Sequence, residues 1–123
     1  MTDNSTIPER RELSPDERKL LEWLLKNGTP EASFYVAQLP LLRVVSRCAC
    51  GCPSVDLAVG EKDSRTTGAS TIIADTMGRS PEGALVGVSV HVREGEISEL
   101  EVYSLDGETE VFRLPKPEML KAI

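Results

Sequence analysis

Three cysteines fall within the short run Arg47-Cys48-Ala49-Cys50-Gly51-Cys52-Pro53-Ser54, and the chain contains no others. Closely spaced thiolates are soft ligands, so the first chemistry this run suggests is metal binding. On an extended backbone Cys48, Cys50 and Cys52 share one side. Successive C-x-C positions then lie about 7 Å apart, too far to chelate one ion without distortion. Gly51 and Pro53 favour a bend, and a bend can draw the sulfurs together. Zinc takes four ligands at about 2.0 to 2.3 Å, which leaves His91, Asp56 or water to complete a zinc site. Copper(I) accepts fewer ligands and suits sulfur equally well. Two other uses compete, the more common being small buried or turn cysteines with no ligand. The other is thiol catalysis, which needs an activated sulfur and usually a nearby base. Arg47 supplies a positive charge and His91, the only histidine, supplies the only imidazole. The redox pattern of C-x-x-C before a helix is absent.

A second constellation lies downstream. His91, Glu99 and Glu101 fall on one sheet face if Ala84–Arg93 and Ile97–Leu105 form a hairpin. An imidazole beside carboxylates can do acid–base work or hold a cation. The same pattern also describes ordinary cross-strand pairs on a solvated face, the commoner case. Hydrolysis would further require a concave pocket and a placed nucleophile or water. Tyr103 shares that side and, with Glu99 and Glu101, makes a candidate partner-binding surface. The loop from Gly60 to Gly68 lacks the spaced glycines and Gly-Lys-Ser/Thr ending of a phosphate loop, leaving Arg65 as an isolated anion-binding candidate. Asp75 to Ser80 lacks the alternating oxygen ligands of a calcium loop.

The elements that must carry these residues follow from periodicity. Residues 1–12 are polar and aperiodic and read as a flexible lead-in, with one domain over 13–123. A helix starts at Ser14, with Leu13 as staple, Pro15 at the first helical position and Glu17 closing a capping box. Leu20, Leu21, Trp23, Leu24 and Leu25 form its apolar stripe, and Gly28 suits a left-handed end. Thr29-Pro30-Glu31 starts a shorter helix running toward Gln38, stopped by Pro40. Leu41–Arg47 and Val55–Val59 read as an antiparallel hairpin with the cysteines at its closed end, and a third strand begins at Thr71–Ala74.

For the later hairpin, a three-residue turn Glu94-Gly95-Glu96 with a glycine bulge puts Arg93 opposite Ile97. That register faces Val90 with Leu100 and Val88 with Val102, while a plain two-residue turn would set Val90 against Glu99. Glu110–Leu114 offers a last short strand, and Met119, Leu120 and Ile123 a docked tail. Helices first and a meandering antiparallel sheet afterward define an α+β fold. Val86, Val88, Val90, Leu100 and Val102 face the helices.

Composition narrows the classes. The chain has 123 residues, 40% hydrophobic and 28% charged, ordinary for one folded domain. At this length it can bury roughly two thirds of its unfolded surface, so neither metal nor disulfides are needed merely to fold. A net charge of −6, with no basic stripe, argues against nucleic acid and toward a basic protein partner. No apolar run approaches a membrane span and no signal-peptide pattern opens the chain, so the expected location is cytoplasmic. Structural disulfides are disfavoured there. An open sheet edge also makes a homodimer feasible.

The segments Arg47–Leu57 and Glu94–Tyr103 resemble small uncharacterised bacterial proteins carrying a CxCGCPS run. Their glycine-turn hairpin is similar to that of toxin-immunity-like domains. The resemblance implies a bacterial α+β domain that binds another protein and brings no catalytic residue with it. The leading expectation is a small acidic, non-enzymatic protein-binding or accessory domain. The alternative is a metal- or thiol-dependent function, with zinc or copper at Cys48, Cys50, Cys52 and His91.

Overall fold

The computed structural model describes residues 6–107 and 113–122. Its elements are β1 (Thr6–Glu12), α1 (Pro15–Asn27), a 3-10 segment (Pro30–Leu41), β2 (Leu42–Cys48), β3 (Val55–Val59), β4 (Thr71–Arg79), β5 (Leu85–Arg93), β6 (Glu96–Ser104) and β7 (Leu120–Ala122), with one 3-10 turn at Pro117–Met119. The strands form one antiparallel sheet in the order β1-β2-β3-β6-β5-β4-β7. This is the expected α+β arrangement.

Helix α1 forms because its start is fully capped. The Ser14 hydroxyl accepts from the Glu17 amide, the Glu17 carboxylate accepts from the Ser14 amide, and Pro15 occupies the first turn. Leu20, Leu21, Leu24 and Leu25 then repeat at helical spacing and are fully buried. They meet the inner sheet face, where Val86, Val88, Val90, Leu100 and Val102 are also sealed from solvent. The close of the helix differs from expectation: Gly28 has φ −89° and is not left-handed. Glycine is needed there for room, because a Cβ would lie 2.6 Å from the Ile73 carbonyl oxygen. Pro40 does not stop the following segment, which continues as 3-10 turns through Leu41. Those turns take the backbone straight into β2, with the Leu42 amide donating to the Leu39 carbonyl.

The lead-in expected over residues 1–12 is corrected for Thr6–Glu12, which form the edge strand β1. Thr6 pairs with Cys48, Ile7 with Arg47 and Pro8 with Ser46, and after an irregularity Arg11 pairs with Val44. Residues 1–5 lie outside the described residues. An edge strand exposed on both faces needs no apolar alternation, and proline is tolerated there. What holds it is charge: Glu9 pairs with Arg11 and Arg47, and Arg11 reaches Glu17 in α1 with two 2.8 Å bonds.

The β5–β6 hairpin has the expected pairs Val90–Leu100, Val88–Val102, His91–Glu99 and Ser89–Glu101, but reaches them by another route. Arg93 faces Glu96, not Ile97, so the turn has two residues, and both Glu94 (φ 51°) and Gly95 (φ 76°) are left-handed. That is the hairpin turn whose twist suits the flanking strands. The register is restored by a bulge at Ser98, between the Val92–Ile97 and His91–Glu99 pairs. Ser98 is fully buried, and its hydroxyl donates to the His91 carbonyl and accepts from Arg93. A buried bulge thus keeps its polar group satisfied.

Residues 108–112 lie outside the described residues, and with them most of the strand expected at Glu110–Leu114; Arg113 and Leu114 are not in a strand. The docked tail is present as β7, paired with β4 through Leu120–Gly78 and Lys121–Met77, while Ile123 lies outside the description.

Candidate metal centre

Strand β2 delivers Cys48 and β3 begins at Val55, so the cysteine segment is the closed end of their hairpin. The chain turns at once: the Gly51 amide donates to the Cys48 carbonyl at 3.4 Å, and Gly51 has φ 95°, where a side chain would be strained. The turn is closed by the Cys48 amide bonding the Ser54 carbonyl. Ser54 anchors its exit, its hydroxyl donating to the Val102 carbonyl at 2.9 Å and accepting from the Val102 amide at 2.8 Å.

This bend overcomes the spacing of an extended C-x-C run. All three sulfurs lie within 4.8 Å of one another, a group able to coordinate a metal ion. The cysteines are free, and Cys48 Sγ and Cys50 Sγ approach to 2.8 Å. The Cys52 amide donates to Cys50 Sγ at 3.4 Å, a partner suited to a sulfur carrying negative charge. Thiolates arranged tetrahedrally at a zinc–sulfur distance of about 2.3 Å are about 3.8 Å apart. The observed span contains that spacing, with Cys48 and Cys50 needing to separate by about 1 Å. Cys50 is exposed while Cys48 and Cys52 are half-buried, so an ion can reach the sulfurs from solvent.

The residues considered as a fourth ligand are occupied elsewhere. Asp56 accepts from the Ser46 hydroxyl at 2.7 Å and pairs with Arg65 at 3.4 Å. That pairing also answers the expectation for Arg65, whose charge is directed at Asp56. His91 belongs to a different group, with Glu99 and Glu101, whose ligand atoms likewise lie within 4.8 Å of one another. Among the described residues, no such group joins His91 to a cysteine.

That second group sits on the outer sheet face. His91 Nε2 is 2.7 Å from Glu101 Oε1, and Nδ1 is hydrogen-bonded with Ser70 Oγ. Ser89 Oγ donates to Glu101 at 3.2 Å. Arg93 reaches Glu99 at 3.4 Å. The bond from His91 holds the Glu101 carboxyl below the ordinary carboxylate range despite partial burial. Tyr103 lies across Gly87, where a Cβ would be 2.3 Å from the phenol ring. Burial, then the charges of Asp75 and Glu101, raise the Tyr103 hydroxyl's pKa.

Cys48 and Cys52 of the first group and Glu99 and Glu101 of the second, with Tyr103, line one groove of about 450 Å³. Arg47 and Arg65 also line it, paired with Glu9 and Asp56 respectively. Sequence reasoning missed Ser70 and Ser89 as partners of His91. Ser89 was legible from the hairpin register, whereas Ser70 arrives from a loop with no periodicity. No protein-family model, curated protein or solved structure matches the chain, so the reading of these groups rests on their geometry.

Proposed function

We propose that this protein binds a thiophilic metal ion through Cys48, Cys50 and Cys52, with copper(I) and zinc as the fitting ions. The observation that carries the reading is the convergence of three free sulfurs on one glycine turn. Copper(I) is satisfied by three thiolates, whereas zinc there takes a water as its fourth ligand. Three thiolates with either ion leave net negative charge, which the exposed Cys50 shares with solvent.

This reading comes before an acidic partner-binding domain because three sulfurs converge, whereas nothing in the geometry of Glu99, Glu101 and Tyr103 is specific to a protein partner. Glu99 and Glu101 are engaged by Arg93 and His91, and Tyr103 rests on the sheet. Among the described residues, no helix is long and apolar enough to cross a membrane. The test is anaerobic titration with Cu⁺ and with Zn²⁺ against a chromophoric chelator. Saturation at a single ion per chain is expected, with affinity falling about 100-fold or more in Cys50→Ser, since losing a ligand exceeds losing an outer-sphere partner. Equal affinity in wild type and Cys50→Ser would overturn the reading.

A further inference from the structure

The outer sheet face carries a second set of ligand atoms of different chemistry. We propose that His91, Glu99 and Glu101 form a separate site for a divalent cation that prefers nitrogen and oxygen ligands, of the Mn²⁺ class. One imidazole nitrogen and two carboxylates, all within 4.8 Å, match that preference, as the three sulfurs match softer ions.

The imidazole is held as a ligand must be. Its Nδ1 is tied to Ser70 Oγ, a hydroxyl able to donate or accept and so to serve either tautomer. Nε2, hydrogen-bonded to Glu101 at 2.7 Å and 3.3 Å from Ser89 Oγ, would release its proton to take the ion, with the ring orientation set by an outer partner. His91 and Glu99 side chains are 12% and 23% exposed and Glu101 is 39% exposed, so the group is partly desolvated yet reachable.

The neighbouring strand places another carboxylate on the same face. Asp75 stands opposite Ser89 in the next strand, and among the described residues its Oδ1 is buried with no hydrogen-bond partner. A buried carboxylate oxygen lacking a donor is costly unless something positive lies nearby. Arg93 meets the group at Glu99, 3.4 Å away, and also donates to the Ser98 hydroxyl. A divalent cation held by Glu99 and Glu101 would add positive charge to this face. Its way in is the groove that Glu99 and Glu101 share with Cys48 and Cys52.

The experiment is Mn²⁺ titration followed by the resonance signal of free Mn²⁺, on the reduced full chain and on C48S/C50S/C52S. A single saturable Mn²⁺ is expected in both, because manganese seeks oxygen and nitrogen rather than sulfur. His91→Gln or Glu99→Gln should weaken it about tenfold or more, and Asp75→Asn by a smaller factor. Melting without Mn²⁺ identifies any misfolded variant, and Glu99→Gln, which spares the His91–Glu101 bond, keeps the test decisive. No saturable binding in either background, binding lost only with the cysteines, or full affinity in both His91→Gln and Glu99→Gln overturns the proposal. The serine background separates its failure from that of the thiolate site.

Discussion

Glu17 ties three parts of the molecule together, and replacing it by glutamine tests how the metal-bearing hairpin is held. Its side chain is 8% exposed, accepts from Arg11 Nη1 and Nη2 at 2.8 Å each, and accepts from the Ser14 amide at 2.8 Å. It therefore closes the cap of α1 and pins β1, the strand whose Thr6 pairs with Cys48. Glutamine keeps the shape but removes the charge and turns a donor toward Arg11. Breaking a buried pair costs about 3 to 5 kcal/mol. Here Arg11 is 37% exposed and retains Glu9, so solvent and the second partner reduce the loss to about 2 kcal/mol. For a chain of this size that corresponds to a melting temperature lower by about 8 °C.

The pH dependence has a definite sign. Burial alone pushes the Glu17 carboxyl upward, but the Arg11 and Ser14 hydrogen bonds outweigh it and the folded pKa lies below the ordinary value. Stabilisation from a depressed carboxylate is complete above the unfolded pKa and is lost as pH falls through the folded one. Denaturant unfolding of wild type and Glu17→Gln should therefore differ by about 2 kcal/mol at neutral pH. The curves should converge in acid. A difference under about 0.5 kcal/mol at neutral pH, or a gap that stays constant into acid, refutes the reasoning.

Other expectations follow from single contacts. Gly28→Ala should lose about 1 to 3 kcal/mol in denaturant melts, because the new Cβ meets the Ile73 carbonyl oxygen at 2.6 Å, and backbone cannot yield as a side-chain tip can. Gln38 clasps the β5–β6 turn by donating to the Gly95 carbonyl and accepting from the Ile97 amide, each at 2.9 Å. Gln38→Ala should cost about 1 to 2 kcal/mol and speed hydrogen exchange at the Ile97 amide, while leaving Cu⁺ affinity unchanged. Leu100→Ala, at a fully buried position between the sheet and α1, should cost about 2 to 5 kcal/mol by equilibrium unfolding.

Much of this architecture was legible from local chemistry. The Ser14–Glu17 capping box, the leucine stripe of α1 and the alternation in β5 and β6 each announce their element, because one buried face leaves a strong periodic mark. Strand β1 left no such mark, since an edge strand held by Glu9, Arg11 and Arg47 exposes both faces. The two-residue turn was hidden for a different reason: the bulge at Ser98 produces the same distant pairs as a longer turn, so the side-chain pattern cannot tell them apart. At the site, the cysteine run was evident but its geometry depended on Gly51 taking a positive φ. The separation of His91 from the sulfurs depended on strand order, which pairs β3 with β6 and sets His91 one strand further away on β5.

Metal and thiol content of the protein purified under reducing conditions without chelator tests the central claim most directly. Near-stoichiometric copper or zinc is expected, with the sulfurs protected from alkylation while the ion is bound and the ion lost in Cys50→Ser. Three thiols that react freely, with neither ion retained nor taken up on addition of Cu⁺ or Zn²⁺, would contradict a thiolate metal centre.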